Sequence, residues 1–226
     1  DIDPEGSITI IDLSSGAAAA TSTQLDFKAY NSQVDQLRND GVRIFGNNGQ
    51  SSVAQDLEPE YVTISADNKT AWVACQENNA IVEVDLISKS IKSIKALGTK
   101  DHSIVVNGLD GNRDHDKVHI SNYPVKGFYH PDAITSYSVG STTYLVTANE
   151  GDARDYDGYS EEIRLRKKDI DLDPTAFPNE ELVFSLIGDI KTTTANGDTD
   201  GDGDLDEIYT YGARSFSIWN GTTGAL

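Results

Sequence analysis

From Tyr61 to Ala96 the chain reads YVTISADNKTAWVACQENNAIVEVDLISKSIKSIKA. Runs rich in β-branched and aromatic residues (YVTIS, TAWVAC, AIVEVDL, IKSIKA) are separated by the polar clusters ADNK, QENN and ISKS. Short runs of this kind, bounded by Asn, Asp and Ser, are strands joined by tight turns. The stretch therefore predicts four antiparallel strands in sequence order, the unit from which β-propeller blades are made.

Outward from this unit the same grammar recurs. SITIIDL–SSG near the start and SFSIWN–GTTG near the end match AIVEVDL–ISKS as strand and turn. DAITSYSV–GST–TYLVTAN from Asp132 and EIYTYG–ARSFSIWN from Glu207 read as further strand pairs. Units recurring every ~40–50 residues predict an all-β propeller of four-stranded antiparallel blades. A chain of 226 residues holds about four or five such units at most. The first unit lacks its opening strands and the last stops one strand short. Residues 1–226 are therefore read as part of one propeller domain, a partial ring with bare strand edges. Between the units lie an alanine linker at Ala17–Ala20 and a short helical insertion over residues 31–39. There Val34 and Leu37 have helical spacing and Gly41 is the stop. GVRIFG is expected as another strand and GNNGQSS as a surface loop.

The charge is lopsided, with 18 Lys plus Arg against 37 Asp plus Glu and a net charge of −19. Such a surface excludes nucleic acid and anionic membranes as partners and favours cations or basic partners. Cys75 is the single cysteine, so an intrachain disulfide is ruled out. Its apolar setting, AWVAC, predicts a buried structural thiol. The sequence has no apolar run of the ~20 residues that span a bilayer. The absence of an initiator Met and of a signal-like segment reads as a mature or trimmed product.

The densest chemistry lies in NGDTDGDGDLDE, residues 196–207. Asp198, Asp200, Asp202, Asp204 and Asp206 alternate with small residues, and carboxylates at every second position are how loops surround Ca²⁺. Two registers fit. One starts at Asp198 and runs through Asp200, Asp202, the Asp204 carbonyl and Asp206 into a strand at Ile208. The other starts at Asn196, with Gly201 sixth and Glu207 twelfth as in an EF-hand. The first is preferred, because EIYTYGARSFSIW alternates like strands and not like an exiting helix. A second acidic set, Asp110, Asn112, Asp114 and Asp116, has the same spacing without a mid-loop glycine. It is a weaker Ca²⁺ candidate beside the alternative of a solvated turn.

After the strand TYLVTA comes NEGDARDYDGY. Asn149, Glu150, Asp152, Asp155 and Asp157 offer oxygens to a metal, and Arg154 offers a bidentate clamp for phosphate or carboxylate. The alternative is a polar loop in which Arg154 neutralises its own acidic neighbours. His130, before Pro131, reads as a ligand, a general acid or a hydrogen-bonded histidine at a blade corner. His115 and His119 do not share a helical face, which counts against a zinc pair. GxSxG, P-loop and GxGxxG motifs are absent. Asn68 and Asn220 begin glycosylation sequons, which matter only in a eukaryotic secretory host.

LEPEYVTISADNKTAWVACQENNAIVEVDL resembles a YVTN-type propeller repeat. Together with GVRIFG, LGTKDHS, HPDAI, TYLVTANEGDARDYDGYSEEIR, DPTAFPN and GDTDGDGDLDEIYTYGARSFSIWNGTTG, it resembles the bacterial choice-of-anchor I family, which is related to the animal mesenchyme-specific cell-surface glycoproteins associated with calcium mineral. The resemblance implies an extracellular, cell-surface or periplasmic β-propeller longer than this chain. Two functions are then expected. The first is a calcium-binding surface propeller in adhesion or mineral-associated binding, with a surface or matrix partner. The second, implied by the alkaline-phosphatase-like label that many members carry, is a metal-dependent phosphoesterase whose phosphate-containing ligand meets the NEGDARDY loop and His130 at the propeller mouth.

Overall fold

The structure, a computed structural model, describes residues 4–112, 117–167 and 170–226. Its centre is the four-stranded sheet read from the sequence: Tyr61–Ile64, Thr70–Cys75, Ala80–Asp85 and Ser90–Ala96, each antiparallel to the next. The two middle strands are almost wholly buried because both faces of the sheet are covered. Ala71, Val73, Cys75, Val82 and Val84 face a core with Phe27, Leu37, Val53 and Leu57. Trp72, Ala74 and Ile81 alternate with them and face Tyr129, Ile134, Leu145 and Trp219. Double coverage explains why these strands read as nearly continuous apolar runs. Cys75 is fully buried, and burial raises its thiol pKa, which keeps it in the inert thiol form.

The repeated strand-and-turn signature has one physical basis. At the end of each matching strand a side-chain oxygen accepts from backbone amides in the turn. Asp12 accepts from Ser14 (2.9 Å), Asp85 from Ile87 and Ser88 (2.8 and 2.9 Å), and Asn220 from Thr222 and Thr223 (3.0 and 2.9 Å). Such bonds let an Asp or Asn mimic a backbone turn.

A three-stranded antiparallel sheet joins Pro131–Val139, Thr142–Asn149 and Ser215–Asn220. A five-stranded sheet runs, in spatial order, through Glu162–Arg164, Lys191–Thr193, Ile208–Thr210, Val125–Phe128 and Thr99–Asp101. Within it, Val125–Phe128 and Ile208–Thr210 are parallel. Beneath lies a third core of Leu109, Tyr123, Val125, Leu165, Ile187 and Ile208, closed by the helix Glu180–Ile187, whose cap Asn179 accepts from Leu182 N at 3.1 Å. Two-stranded hairpins complete an all-β architecture. The sheets described here stay separate and do not close into a ring.

Some local expectations hold and others change. The 31–39 insertion is a 3₁₀ turn at Lys28–Gln33 followed by an α-helix at Val34–Asn39. The alanine linker contains a 3₁₀ turn, Ala17–Ala19. GVRIFG is not a strand. Arg43 N donates to Asn78 O (2.9 Å) and Val42 N to Leu37 O (2.9 Å), so its amides serve loops and no ladder. GNNGQSS contains a turn at Gly46–Gly49 and leads to Ser52, which caps the short helix Val53–Asp56. EIYTYG and ARSFSIWN both contain strands, but in different sheets and not paired with each other. The chain leaves one sheet for the other at Gly212, whose backbone lies against Gly151 so closely that a Cβ on Gly151 would sit 2.2 Å from Gly212 N. Among the described residues, no helix is long and apolar enough to cross a membrane.

Candidate functional site

The acidic loop is pinned at both ends and open between them. Asp206 N and Glu207 N both donate to Gly197 O (3.0 and 3.1 Å). Leu205 is buried beside Leu172; its amide donates to Asp171 O, and Asp173 N donates to Leu205 O, each at 3.0 Å. Gly201 and Gly203 take positive φ (84° and 104°), which lets the exposed arc curl back. The arc is ordered by its own carboxylates: Asp198 accepts from Gly201 N (2.6 Å) and Gly203 N (3.1 Å), and Asp206 accepts from the amide and hydroxyl of Thr199, both at 2.7 Å.

This curl gathers two trios of carboxylates whose oxygens lie within 4.8 Å of one another: Asp198, Asp200 and Asp206, and Asp173, Asp204 and Asp206. Asp206 belongs to both. Asp204 Oδ1 is shielded from solvent and has no hydrogen-bond partner. Its carboxyl pKa is pushed up to about 6, first by lost solvation and then by the charges of Asp202 and Asp173. Asp202 joins neither trio and accepts from Asp204 N at 3.2 Å. Clustered oxygen donors of this kind suit a hard divalent cation of calcium size. Asp173 carried no metal signal in the sequence. It reaches the loop through the bridge between Leu172 and Leu205.

Both ends of the EF-hand register are engaged elsewhere. Asn196 Oδ1 accepts from Arg43 Nε at 3.1 Å. Glu207 pairs with Lys126 Nζ and accepts from the Tyr209 hydroxyl, each at 2.5 Å. A strand, not a helix, follows at Ile208. Asn196 and Glu207 thus face partners outside the loop, and of the register that begins at Asp198 the side chains of Asp198, Asp200 and Asp206 come together while Asp202 does not.

Asn196 connects the loop to a buried polar network. Arg43 is sandwiched between Phe45 and Phe128, 4.0 and 4.4 Å from their ring centroids. It grips Glu161 with two nitrogens, at 3.3 and 2.5 Å. Glu161 also accepts from Thr193 Oγ1 (2.6 Å) and Arg154 N (3.1 Å). Arg154 is buried as well. It does not neutralise its acidic neighbours in sequence, but pairs with Asp56 at 2.6 Å and Glu58 at 3.0 Å.

His130 lies under the same network, fully buried and with φ +44°. Its Nδ1 meets the Asp152 carbonyl at 2.8 Å and so carries the proton. Nε2, 3.4 Å from Arg43 Nη1, is then the acceptor. Burial and, next, the charge of Arg43 hold its pKa well below the usual histidine range.

The remaining candidates are divided. Asn149 is buried: Nδ2 donates to Ser215 and Ser217, and Oδ1 accepts from Thr147. Asp155 is exposed in a small hairpin, Asp155–Tyr156 with Tyr159–Ser160. Asp110, Asn112, Glu150 and Asp152 border one cleft of about 860 Å³. There Asp110 accepts from His119 N (3.0 Å), and Asn112 donates to Ser185 O (3.2 Å). Asp114 and Asp116 lie outside the described residues. Among the described residues, the carboxylate trios within 4.8 Å are those of the acidic loop.

Fold and site together define an all-β protein with an open carboxylate loop tied to a buried ionic core. The choice-of-anchor I domain family model matches residues 1–226, the whole chain, and the chain belongs to that family. That membership marks a surface or extracellular protein. No curated protein and no solved structure matches the chain.

Proposed function

We propose that the chain is a calcium-stabilised binding module of a surface-anchored protein, its sheets forming part of a β-propeller. The observation that carries this reading is Asp206, shared by two carboxylate trios beside the unpartnered Asp204 Oδ1. Like charges packed this closely raise one another's energy unless a cation intervenes. Ca²⁺ would be held by Asp198, Asp200 and Asp206, with Asp173 and Asp204 on the adjoining side. The ion supplies charge neutralisation and fixes the loop. The path from the loop through Asn196 to Arg43 and Glu161 carries that order into the core. The propeller assignment is supported by the double-faced blade and by the turn repeated at Asp12, Asp85 and Asn220.

Binding is favoured over phosphoester hydrolysis by the state of the groups that hydrolysis would need. His130 is buried with both ring nitrogens engaged, and Arg154 is locked onto Asp56 and Glu58. Neither is placed to touch a substrate. The test is a pair of thermal melts, one with chelator and one with millimolar Ca²⁺. An ion bound at a hundred times its Kd adds ~2.7 kcal/mol, which raises the melting temperature by several degrees. Coincident melts would refute the calcium reading. Metal-dependent hydrolysis of a generic phosphate ester would reinstate the enzymatic one.

A further inference from the structure

A second cleft, of about 630 Å³, lies between the 41–49 segment, the Gly98–Thr99 corner and residues 194–196. Its size falls in the range of small-ligand sites. The chain carries 37 Asp plus Glu and a net charge of −19, yet none of the residues lining this cleft is an acid. The aromatic rings beneath it are already covered. Phe45 and Phe128 both pack on the Arg43 guanidinium, Phe45 also meets Arg154, and Phe128 stacks on His130 and Tyr209. Recognition here therefore falls to the polar groups.

Two guanidinium groups reach the cleft, and they differ. Arg43 is buried, and its charge is matched by Glu161 at 2.5 Å. The Arg38 side chain is 35 % exposed. Its Nε donates to Ile44 O (2.9 Å) and its Nη2 to Gly49 O (2.8 Å). Both acceptors are neutral carbonyls, so these bonds fix the guanidinium and leave its charge in place. Asp35, whose side chain is 89 % exposed, stands 3.8 Å from Nη1. An ion pair so exposed is weak and screened by salt. Arg38 thus brings a nearly uncompensated positive charge to a cleft lined by no acid.

The turn that holds Arg38 is itself fixed. Asn47, Asn48 and Gly49 are consecutive left-handed residues, with φ 51°, 53° and 74°, where such residues normally occur singly. Gly46 N donates to Asp56 Oδ2 at 2.6 Å, and Asp56 is gripped by buried Arg154. The guanidinium is anchored on this rim before any ligand arrives, which lowers the ordering cost of binding. On the 194–196 side Asn196 adds a second donor. Its Oδ1 accepts from Arg43 Nε at 3.1 Å, which leaves the NH₂ of the amide to donate. Asn48, Thr99 and Thr194 supply uncharged polar groups at exposed positions.

A planar guanidinium fork matches a carboxylate. One positive charge balances a monoanion and not a dianion, and an ammonium group finds no counter-charge in this lining. From these observations we infer that this cleft binds a monocarboxylate on an uncharged, hydroxylated body, with Arg38 holding the carboxylate. The inference rests on the reading of the chain as a binding module and names its ligand class, but it does not depend on calcium.

The test is a calorimetric titration of the whole chain, in chelator, with glucuronate, with glucose as its uncharged counterpart and with sulfate as a dianion. The expected result is saturable binding of glucuronate with a Kd of about 1 mM or tighter, and binding of glucose and sulfate about tenfold weaker or more. Arg38→Met should weaken glucuronate binding about tenfold or more. Because that change also releases the turn, two exposed variants leave Arg38 intact. Asp35→Asn removes the competing carboxylate and should tighten binding about twofold to fivefold. Thr194→Asp places a carboxylate in the cleft and should weaken binding about tenfold or more. Neither change should move the melting temperature by much, as is usual for exposed positions. No saturable uptake of glucuronate, equal binding of glucose or sulfate, or an affinity unchanged by Asp35→Asn and Thr194→Asp would overturn the proposal. Failure of the calcium reading would show in the melts, and failure of this one in the titrations.

Discussion

Arg154 Nη1 and Asp56 Oδ1 meet at 2.6 Å across a sequence separation of 98, both side chains shielded from solvent. In the sequence Arg154 stands among acids and looks like a surface clamp. In the fold its partners are Asp56 and Glu58, and the contact joins the segment after TYLVTA to the turn at Gly46. Removing one member of such a pair leaves the other charged and buried, which typically costs about 3–5 kcal/mol. Arg154→Met should show that loss in urea unfolding. A loss within about half a kcal/mol, as for exposed loop changes, would return Arg154 to the surface role.

Arg43 makes a sharper chemical test, because its grip on Glu161 is bidentate and its guanidinium is stacked between two rings. Lysine keeps the charge but neither the fork nor the plane. Arg43→Lys should therefore lower stability by at least about 2 kcal/mol, read by denaturant melts. A neutral outcome would show that charge alone holds this site.

Two groups, the buried His130 and Glu60 at an exposed position crowded by other acids, give the fold a pH profile. Glu60 is pushed up to about 8 by burial first, then by its hydrogen bond to Glu77 and the charges of Glu77, Glu58 and Asp132. The native state keeps a proton that the unfolded chain releases above its ordinary value of 4.5. This contribution therefore declines as pH rises towards about 8. His130 acts in the opposite sense. Its native ring stays neutral while the unfolded chain takes up a proton below 6.5, so stability falls as pH drops below that value. From these two groups, stability should be greatest between about pH 4.5 and 6.5 and should decline on either side. Melting temperatures across this range check it. Glu60→Gln should flatten the fall between about pH 6.5 and 8, and an unchanged slope would remove Glu60 from the account.

What the sequence made legible was whatever local rules control. The four-stranded antiparallel sheet at Tyr61–Ala96 appears strand for strand, because alternation, turn residues and burial all agree there. That Asp198, Asp200, Asp204 and Asp206 lie close together was legible, because acids at alternate positions separated by glycines curl onto one another. Contacts between distant segments were not. GVRIFG has a strand's composition, but Arg43 is drawn into a buried ion pair whose partner, Glu161, lies 118 residues away. EIYTYG and ARSFSIWN look like a hairpin, yet the close approach of Gly151 and Gly212 sends them to separate sheets. Asp173 joins the acidic loop only through a bridge formed by Leu172, and period and spacing carry no trace of that.

The most direct test of the account is a calorimetric titration of the whole chain with Ca²⁺ near neutral pH, run beside Asp206→Asn. Because Asp206 serves both carboxylate trios, the account predicts saturable binding by the native chain, weakened about tenfold or more in the variant. Asp202→Asn, outside both trios, should have the smaller effect. The absence of saturable uptake at millimolar Ca²⁺, or an isotherm unchanged by Asp206→Asn, would contradict it.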